Sequence, residues 1–299
     1  MTAVGGHSDT ASLRGIAFGA TAYSLFAFHD ALVKSVISDL PVVEILFIRS
    51  SIIVIGCLLV GRGKLIADFR RSSGKHLMLL RAVLTLGAWC MYYSTGRYLQ
   101  LAEMTTLYYV APVITLILAV IFLRERITWV RVGAAILGFV GIVVASNPTH
   151  LSFGWPEALV LGAAFLWGAA MIVMRSIPKT DSALAQIFAI NCLYVIAMGI
   201  ASAFVWQPLE PRTLAIVVCT GLLGGTAQYV LVEAARMVPA GVLGTVEYSA
   251  LVWAFLFGYL GWGEIPAPYV YAGAALIIAA GAAVAFSERR RRDVILDTP

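Results

Sequence analysis

Ten apolar runs, joined by short polar connections, take up almost all of this 299-residue chain: 13–33, 42–60, 77–97, 101–123, 129–146, 155–175, 183–206, 213–236, 241–260 and 268–286. Runs of this length constrain the fold, because a bilayer-crossing helix needs about 20 mostly apolar residues and a backbone in lipid has to satisfy its own hydrogen bonds. A transmembrane barrel meets that demand with alternating segments about 10 residues long, and no such alternation is present. With 61% hydrophobic and 12% charged residues, against about 25% charged in soluble domains, the chain is expected to be an all-α polytopic membrane protein with ten transmembrane helices.

The runs also repeat. The segment RYLQLAEMTTLYYVAPVITLILAVIFLRE, from Arg97 to Glu125, is echoed 139 residues later by RMVPAGVLGTVEYSALVWAFLFGYLGWGE, from Arg236 to Glu264. At that offset Arg97 matches Arg236, Thr106 matches Thr245, Tyr109 matches Tyr248 and Glu125 matches Glu264. One inserted residue later, Gly133-Ala134-Ala135 matches Gly273-Ala274-Ala275. The matching order of apolar runs strengthens these identities, since internal repeats of this kind build many transporters.

Orientation follows from the basic residues. A cytoplasmic amino terminus places Arg14, Arg62, Lys64, Arg70, Arg71, Lys75, Arg124, Arg126, Arg131, Arg175, Lys179, Arg236 and Arg289 to Arg292 on that side, sixteen against three (Lys34, Arg97, Arg212) on the other. By the positive-inside rule both termini are expected in the cytoplasm of a cell (inner) membrane protein. The expected layout is a cytoplasmic tail (1–12), a five-helix repeat (13–146), a second repeat (147–286) and a basic cytoplasmic tail (287–299). Five spans per repeat is odd, so the second repeat enters the membrane inverted. Such symmetry supplies two equivalent gates around one central cavity, the basis of alternating access. The polar first twelve residues lack a basic segment of the kind that opens a signal peptide, and no cleaved leader is expected.

The endings APVITLILAVIFLRE with VGAAILGFVGIVV, and EYSALVWAFLFGYLGWGE with YAGAALIIAAGAAV, resemble the drug/metabolite transporter superfamily in its form with two tandem EamA-type domains. Within it the chain is similar to YddG-type amino-acid exporters. The proline common 13 residues before the terminal glutamate in this family stands as Pro112 in the first half, and Leu251 replaces it in the second. The resemblance implies a central cavity surrounded by spans 1 to 4 and 6 to 9, with spans 5 and 10 peripheral. The latter two are built of Gly, Ala, Ile and Val, as small-residue packing in lipid requires.

Ionisable groups inside a membrane are expensive and therefore functional candidates. His29 and Asp30 are adjacent, so they point about 100° apart; one is expected to face the cavity and the other a neighbour, or both to sit in interfacial water. Glu247, six residues into its run, is a cavity candidate. Glu44 near a membrane face is expected to be solvated. Arg49 is deeper and needs a partner, either a structural ion pair or substrate. Phe26, Trp89, Tyr92, Tyr93, Tyr108, Tyr109, Trp167, Gln228 and Tyr248 lie on the helices expected to line the cavity, where each ring reads singly as packing and together as an aromatic wall for a mostly apolar, largely uncharged site. Pro112 and the Gly224-Gly225 pair read as gating points or as ordinary close packing.

Cys57, Cys90, Cys192 and Cys219 fall in apolar runs without ligand-like spacing, so neither metal nor disulfide is implied. No cofactor motif is present, and the absence of a P-loop, HExxH or GxSxG argues against ATP-driven transport and against an intramembrane enzyme. The net charge of +5 resides in connections and tail, so no nucleic-acid partner is expected. The partners expected are the lipid bilayer and a small molecule: an amino acid or similar metabolite, with riboflavin or nucleotide-like solutes as the alternative. The chain is expected to act as a monomer or homodimer, as a carrier or, alternatively, a channel.

Overall fold

The computed structural model describes residues 6–123, 129–145, 154–238, 243, 246–247 and 249–296. Among them eleven helices are assigned: α1 (Gly6–Val36), α2 (Val42–Arg71), α3 (Lys75–Thr95), α4 (Leu101–Tyr108), α5 (Ala111–Leu123), α6 (Trp129–Ala145), α7 (Trp155–Ser176), α8 (Ala183–Ser202), α9 (Pro211–Met237), α10 (Ser249–Trp262) and α11 (Pro268–Leu296). No strand occurs among the described residues. Six helices, α1, α2, α3, α7, α8 and α9, are long and apolar enough to cross a bilayer alone, which establishes an all-α polytopic membrane protein. Glu125, Thr245 and Tyr248 lie outside the described residues.

Two elements depart from the sequence expectation. The run 101–123 is broken at Tyr109 and Val110 into α4 and α5, with Pro112 in the first turn of α5. There its missing N–H costs nothing, because first-turn amides have no intrahelical partner. The connection after residue 60 is not a simple loop. The chain turns at Arg62 (φ 47°, ψ −145°) and continues as helix to Arg71, burying Leu65 while Phe69 meets Phe188 of α8. Burial of that apolar stripe explains why a basic segment is helical here.

The helices pair in a pattern that is unchanged when the two halves are exchanged. α1 lies along α9, with Gly15 against Val238 and Gly224 against His29; its counterpart, α7 along α3, brings Gly162 to Met91 and Gly87 to Leu166. α2 meets its own counterpart α8, and α6 meets its own counterpart α11. In both cases the two run antiparallel: Gly199 touches Phe47 while Gly61 touches Leu184, and Gly141 touches Gly273 while Ala134 meets Ala280. A helix antiparallel to its own mate requires a two-fold axis perpendicular to it, so the halves are inverted relative to one another. The outer pair closes tightly: a Cβ on Gly273 would stand 2.6 Å from the Gly141 carbonyl oxygen, which is the small-residue contact that lets membrane helices pack without a hydrophobic driving force.

Polar side chains repeat the same symmetry at the helix ends. Arg97 donates from Nε to the Ile37 carbonyl at 2.6 Å and from Nη2 to that of Leu40 at 3.1 Å. Its counterpart Arg236 donates to the Asp181 carbonyl at 2.6 Å and pairs with Glu233 at 3.0 Å. Each arginine thus ends the third helix of its half by tying down the connection between the first two. Asp181 also accepts the amides of Ser73 and Gly74, and Glu44 accepts that of Gln207 at 2.8 Å. Glu44 is therefore fully buried, not solvated, because it satisfies a backbone amide of the opposite half.

Candidate functional site

Among the helices of the bundle is a narrow, partly open cavity of about 40 Å³. α1 presents Tyr23, Phe26 and Asp30 to it, spaced three and four residues apart on one helical face. α3 adds Ala88, Trp89 and Tyr92; α4 and the break after it add Thr105, Tyr108 and Tyr109; α7 adds Trp167, and Glu247 closes the last side. The rings form a connected wall. Trp89 meets Phe26 at 6.2 Å and Trp167 edge-on at 5.7 Å, Tyr108 meets Trp167 at 6.4 Å, and Tyr92 meets Tyr108 at 5.1 Å. Edge-on and tilted arrangements are those the ring quadrupoles favour. Tyr108 and Glu247 lie 139 positions apart, so the repeat places the two at equivalent points of the same cavity.

Two acidic side chains, Asp30 and Glu247, line the cavity. Glu247 is buried, and Tyr23 donates its hydroxyl to Glu247 Oε2 at 3.2 Å. Asp30 keeps 20% of its side-chain exposure, and its Oδ1 accepts from Tyr93 at 3.2 Å and lies 3.1 Å from His29 Nδ1. His29 is fully buried and its Nε2 is 3.3 Å from Arg49 Nη1. Those partners assign the proton to Nδ1, donated to Asp30, and leave Nε2 to accept from Arg49. His29 and Asp30 thus divide as their helical angle demands, Asp30 to the cavity and His29 to its neighbours. Tyr93 stands behind the lining, stacked on Trp89 at 5.2 Å.

Arg49 makes no ion pair with a carboxylate among the described residues, contrary to one sequence reading. It reaches Asp30 only through His29 and Tyr93, and its guanidinium carbon lies 4.8 Å from the Trp89 ring centroid.

Gln228 does not line the cavity; it accepts a hydrogen bond from Asn191 at 3.0 Å, between α9 and α8. Gly224 and Gly225 sit inside an unbroken helix, packed against His29 and Ile53, so they serve close approach of α9 to α1 and α2. Tyr248 is outside the described residues. Tyr23, Ala88 and Thr105 were missed. Their signal was spacing: Tyr23 is one turn before Phe26 and two before Asp30, and Thr105 is one turn before Tyr108 and Tyr109.

The comparisons match this architecture. A solved structure covers 94% of this chain and 98% of its own length with a TM-score of 0.65 at 17% identity, a likeness of fold alone. The riboflavin transporter of Rhizobium johnstonii is 31% identical over 186 residues, 60% of this chain and 60% of that protein. The S-adenosylmethionine uptake transporter of Rickettsia bellii is 30% identical over 196 residues, 64% of this chain and 67% of that one. These two alignments therefore span only about three fifths to two thirds of the relatives' own lengths. The pseudopaline exporter CntI of Pseudomonas aeruginosa is 25% identical over 273 residues, 89% of this chain and 94% of the exporter. The EamA-like transporter family matches residues 13–147 and again 154–286. With both halves matched, this chain belongs to the EamA-like transporter family of the drug/metabolite transporter superfamily and is a multi-pass membrane protein.

Proposed function

We propose that this protein is a secondary transporter that exports small metabolites, foremost amino acids with aromatic or neutral side chains, across the inner membrane by alternating access. The observation that carries this reading is the narrow cavity lined from both halves, walled by aromatic rings and holding Asp30 and Glu247. Ring faces suit an apolar or aromatic body, and a carboxylate beside π faces suits an ammonium group.

At about 40 Å³ the cavity holds only about three waters, whereas small-molecule pockets measure roughly 300–1,000 Å³. Its walls have to part for a solute to enter, which is what a cycle with closed and open states requires. The break at Tyr109–Val110 supports a hinge in the first half, with Pro112 fixing the restart of the helix. Cytoplasmic termini rest on the sixteen-to-three distribution of Lys and Arg, and export, rather than uptake, on the similarity to the pseudopaline exporter. A second reading, a transporter of riboflavin-like or nucleotide-like solutes, draws on the names of relatives and on the same aromatic wall.

Solute counterflow in proteoliposomes tests both. Saturable counterflow is expected with phenylalanine, tryptophan or methionine. Counterflow with riboflavin or S-adenosylmethionine and none with amino acids would establish the second reading, and linear flux without counterflow would indicate a channel.

A further inference from the structure

Arg49 is fully buried in α2, and its nitrogens are used unequally. Nη1 donates toward His29 Nε2 at 3.3 Å and Tyr93 Oη at 3.4 Å, while Nε and Nη2 have no hydrogen-bond partner among the described residues. Those two nitrogens share one edge of the guanidinium. Their N–H groups point in parallel, the spacing that takes both oxygens of a carboxylate at once. A buried cation with that edge empty is costly to keep, so its retention needs a reason other than stability.

The position supplies one. Arg49 stands directly behind Trp89, and Tyr93 links it to Asp30 through a 3.2 Å bond. Trp89 and Asp30 are themselves cavity wall. A solute that moves Trp89 aside extends the cavity to Arg49, whose guanidinium carbon is 4.8 Å from that ring's centroid. On the α9 side the backbone at Gly224 packs directly against this corner: a Cβ there would come within 3.2 Å of His29 and 3.9 Å of Arg49 Cδ.

We propose that Arg49 is the carboxylate subsite of the transport cavity. The solute then carries an ammonium toward Glu247 and Asp30, an apolar body between the rings, and a carboxylate on the Nε–Nη2 edge of Arg49. This rests on the cavity being the transport site and adds a requirement that the aromatic wall alone does not impose: a zwitterion is preferred over the corresponding amine.

The test is calorimetric binding to the purified full-length protein, comparing L-phenylalanine with phenethylamine, which lacks the carboxylate, and with 3-phenylpropionate, which lacks the ammonium. Wild type is expected to bind L-phenylalanine about tenfold or more tightly than phenethylamine, the scale of one charge-assisted bidentate contact. In Arg49→Lys, which keeps the charge but not the fork, that ratio is expected to fall about tenfold. Equal or tighter binding of phenethylamine by wild type overturns the subsite while leaving the aromatic cavity as the transport site. An unchanged ratio in Arg49→Lys also overturns it. If none of the three binds, the cavity reading and the subsite fall together. Should Arg49→Lys fail to fold, the wild-type ratio still decides.

Discussion

Glu264 holds Lys34 with Oε1, 2.7 Å from Nζ, and takes the backbone amide of Leu101 with Oε2 at 2.9 Å. Lys34 in turn donates to the Leu99 carbonyl at 3.0 Å. One carboxylate, the last residue of the repeated motif in the second half, thus joins the end of α1, the α3–α4 connection and the segment after α10. Both side chains are largely withdrawn from solvent, 9% and 13% exposed. Removing one partner strands a charge: Lys34→Met is expected to cost about 3–5 kcal/mol. Lys34→Met with Glu264→Gln is expected to cost less than Lys34→Met alone, which thermal unfolding of the purified variants reads directly. Additive losses in the double variant would show that the pair is not coupled.

The cavity rings are expected to act on binding and not on folding. Trp89→Ala and Trp167→Ala each remove a wall ring with several ring neighbours, and each should weaken apparent affinity for an aromatic solute by about threefold to tenfold while the protein still elutes as a folded species. Full activity in both variants would reduce the wall to packing.

Glu247→Gln keeps an acceptor for the Tyr23 hydroxyl and removes the charge. Solutes with an ammonium group are expected to lose about tenfold in affinity, and a matched solute without one is expected to be unaffected. Efflux from preloaded liposomes under an imposed pH gradient reports the driving force. Export driven by accumulated solute alone is expected to ignore the gradient. A rate that follows the gradient in wild type and not in Glu247→Gln assigns proton coupling to this carboxylate.

Gly273 and Gly133 occupy matched positions of the repeat, yet only one is packed. A Cβ on Gly273 would lie 2.6 Å from the Gly141 oxygen and 2.6 Å from Ala145 Cβ, whereas one on Gly133 meets nothing within 4 Å. Gly273→Ala is therefore expected to destabilise by about 1–3 kcal/mol, and Gly133→Ala to be neutral or slightly stabilising. Equal melting temperatures for the two variants would remove the close α6–α11 crossing.

Membrane orientation is open to cysteine labelling in a background lacking Cys57, Cys90, Cys192 and Cys219. The exposed Ser73 and Thr180 are expected to react from the cytoplasm and Ile265, 73% exposed, from the opposite side. Reversed accessibility would invert the assignment of the termini without touching the internal symmetry, which the antiparallel α2–α8 and α6–α11 pairs fix independently.

Apolar length and the 139-residue repeat determined the helical class and the inverted halves, because hydrophobic runs and backbone satisfaction in lipid are local requirements that each segment meets by itself. They also led to Phe26, Asp30, Trp89, Tyr108, Trp167 and Glu247 as cavity groups, since residues that are costly or conspicuous in lipid stand out without any knowledge of their neighbours. Which face a residue presents was decided only by packing. Gln228 turns to Asn191, Gly224 makes room for His29, Glu44 is buried on the Gln207 amide, and the helix after Arg62 forms because α8 covers Leu65. The open edge of Arg49 belongs to the same class. An arginine in an apolar run demands a partner, but whether it has one depends on residues from α1, α3 and α9 that come together only in the folded bundle.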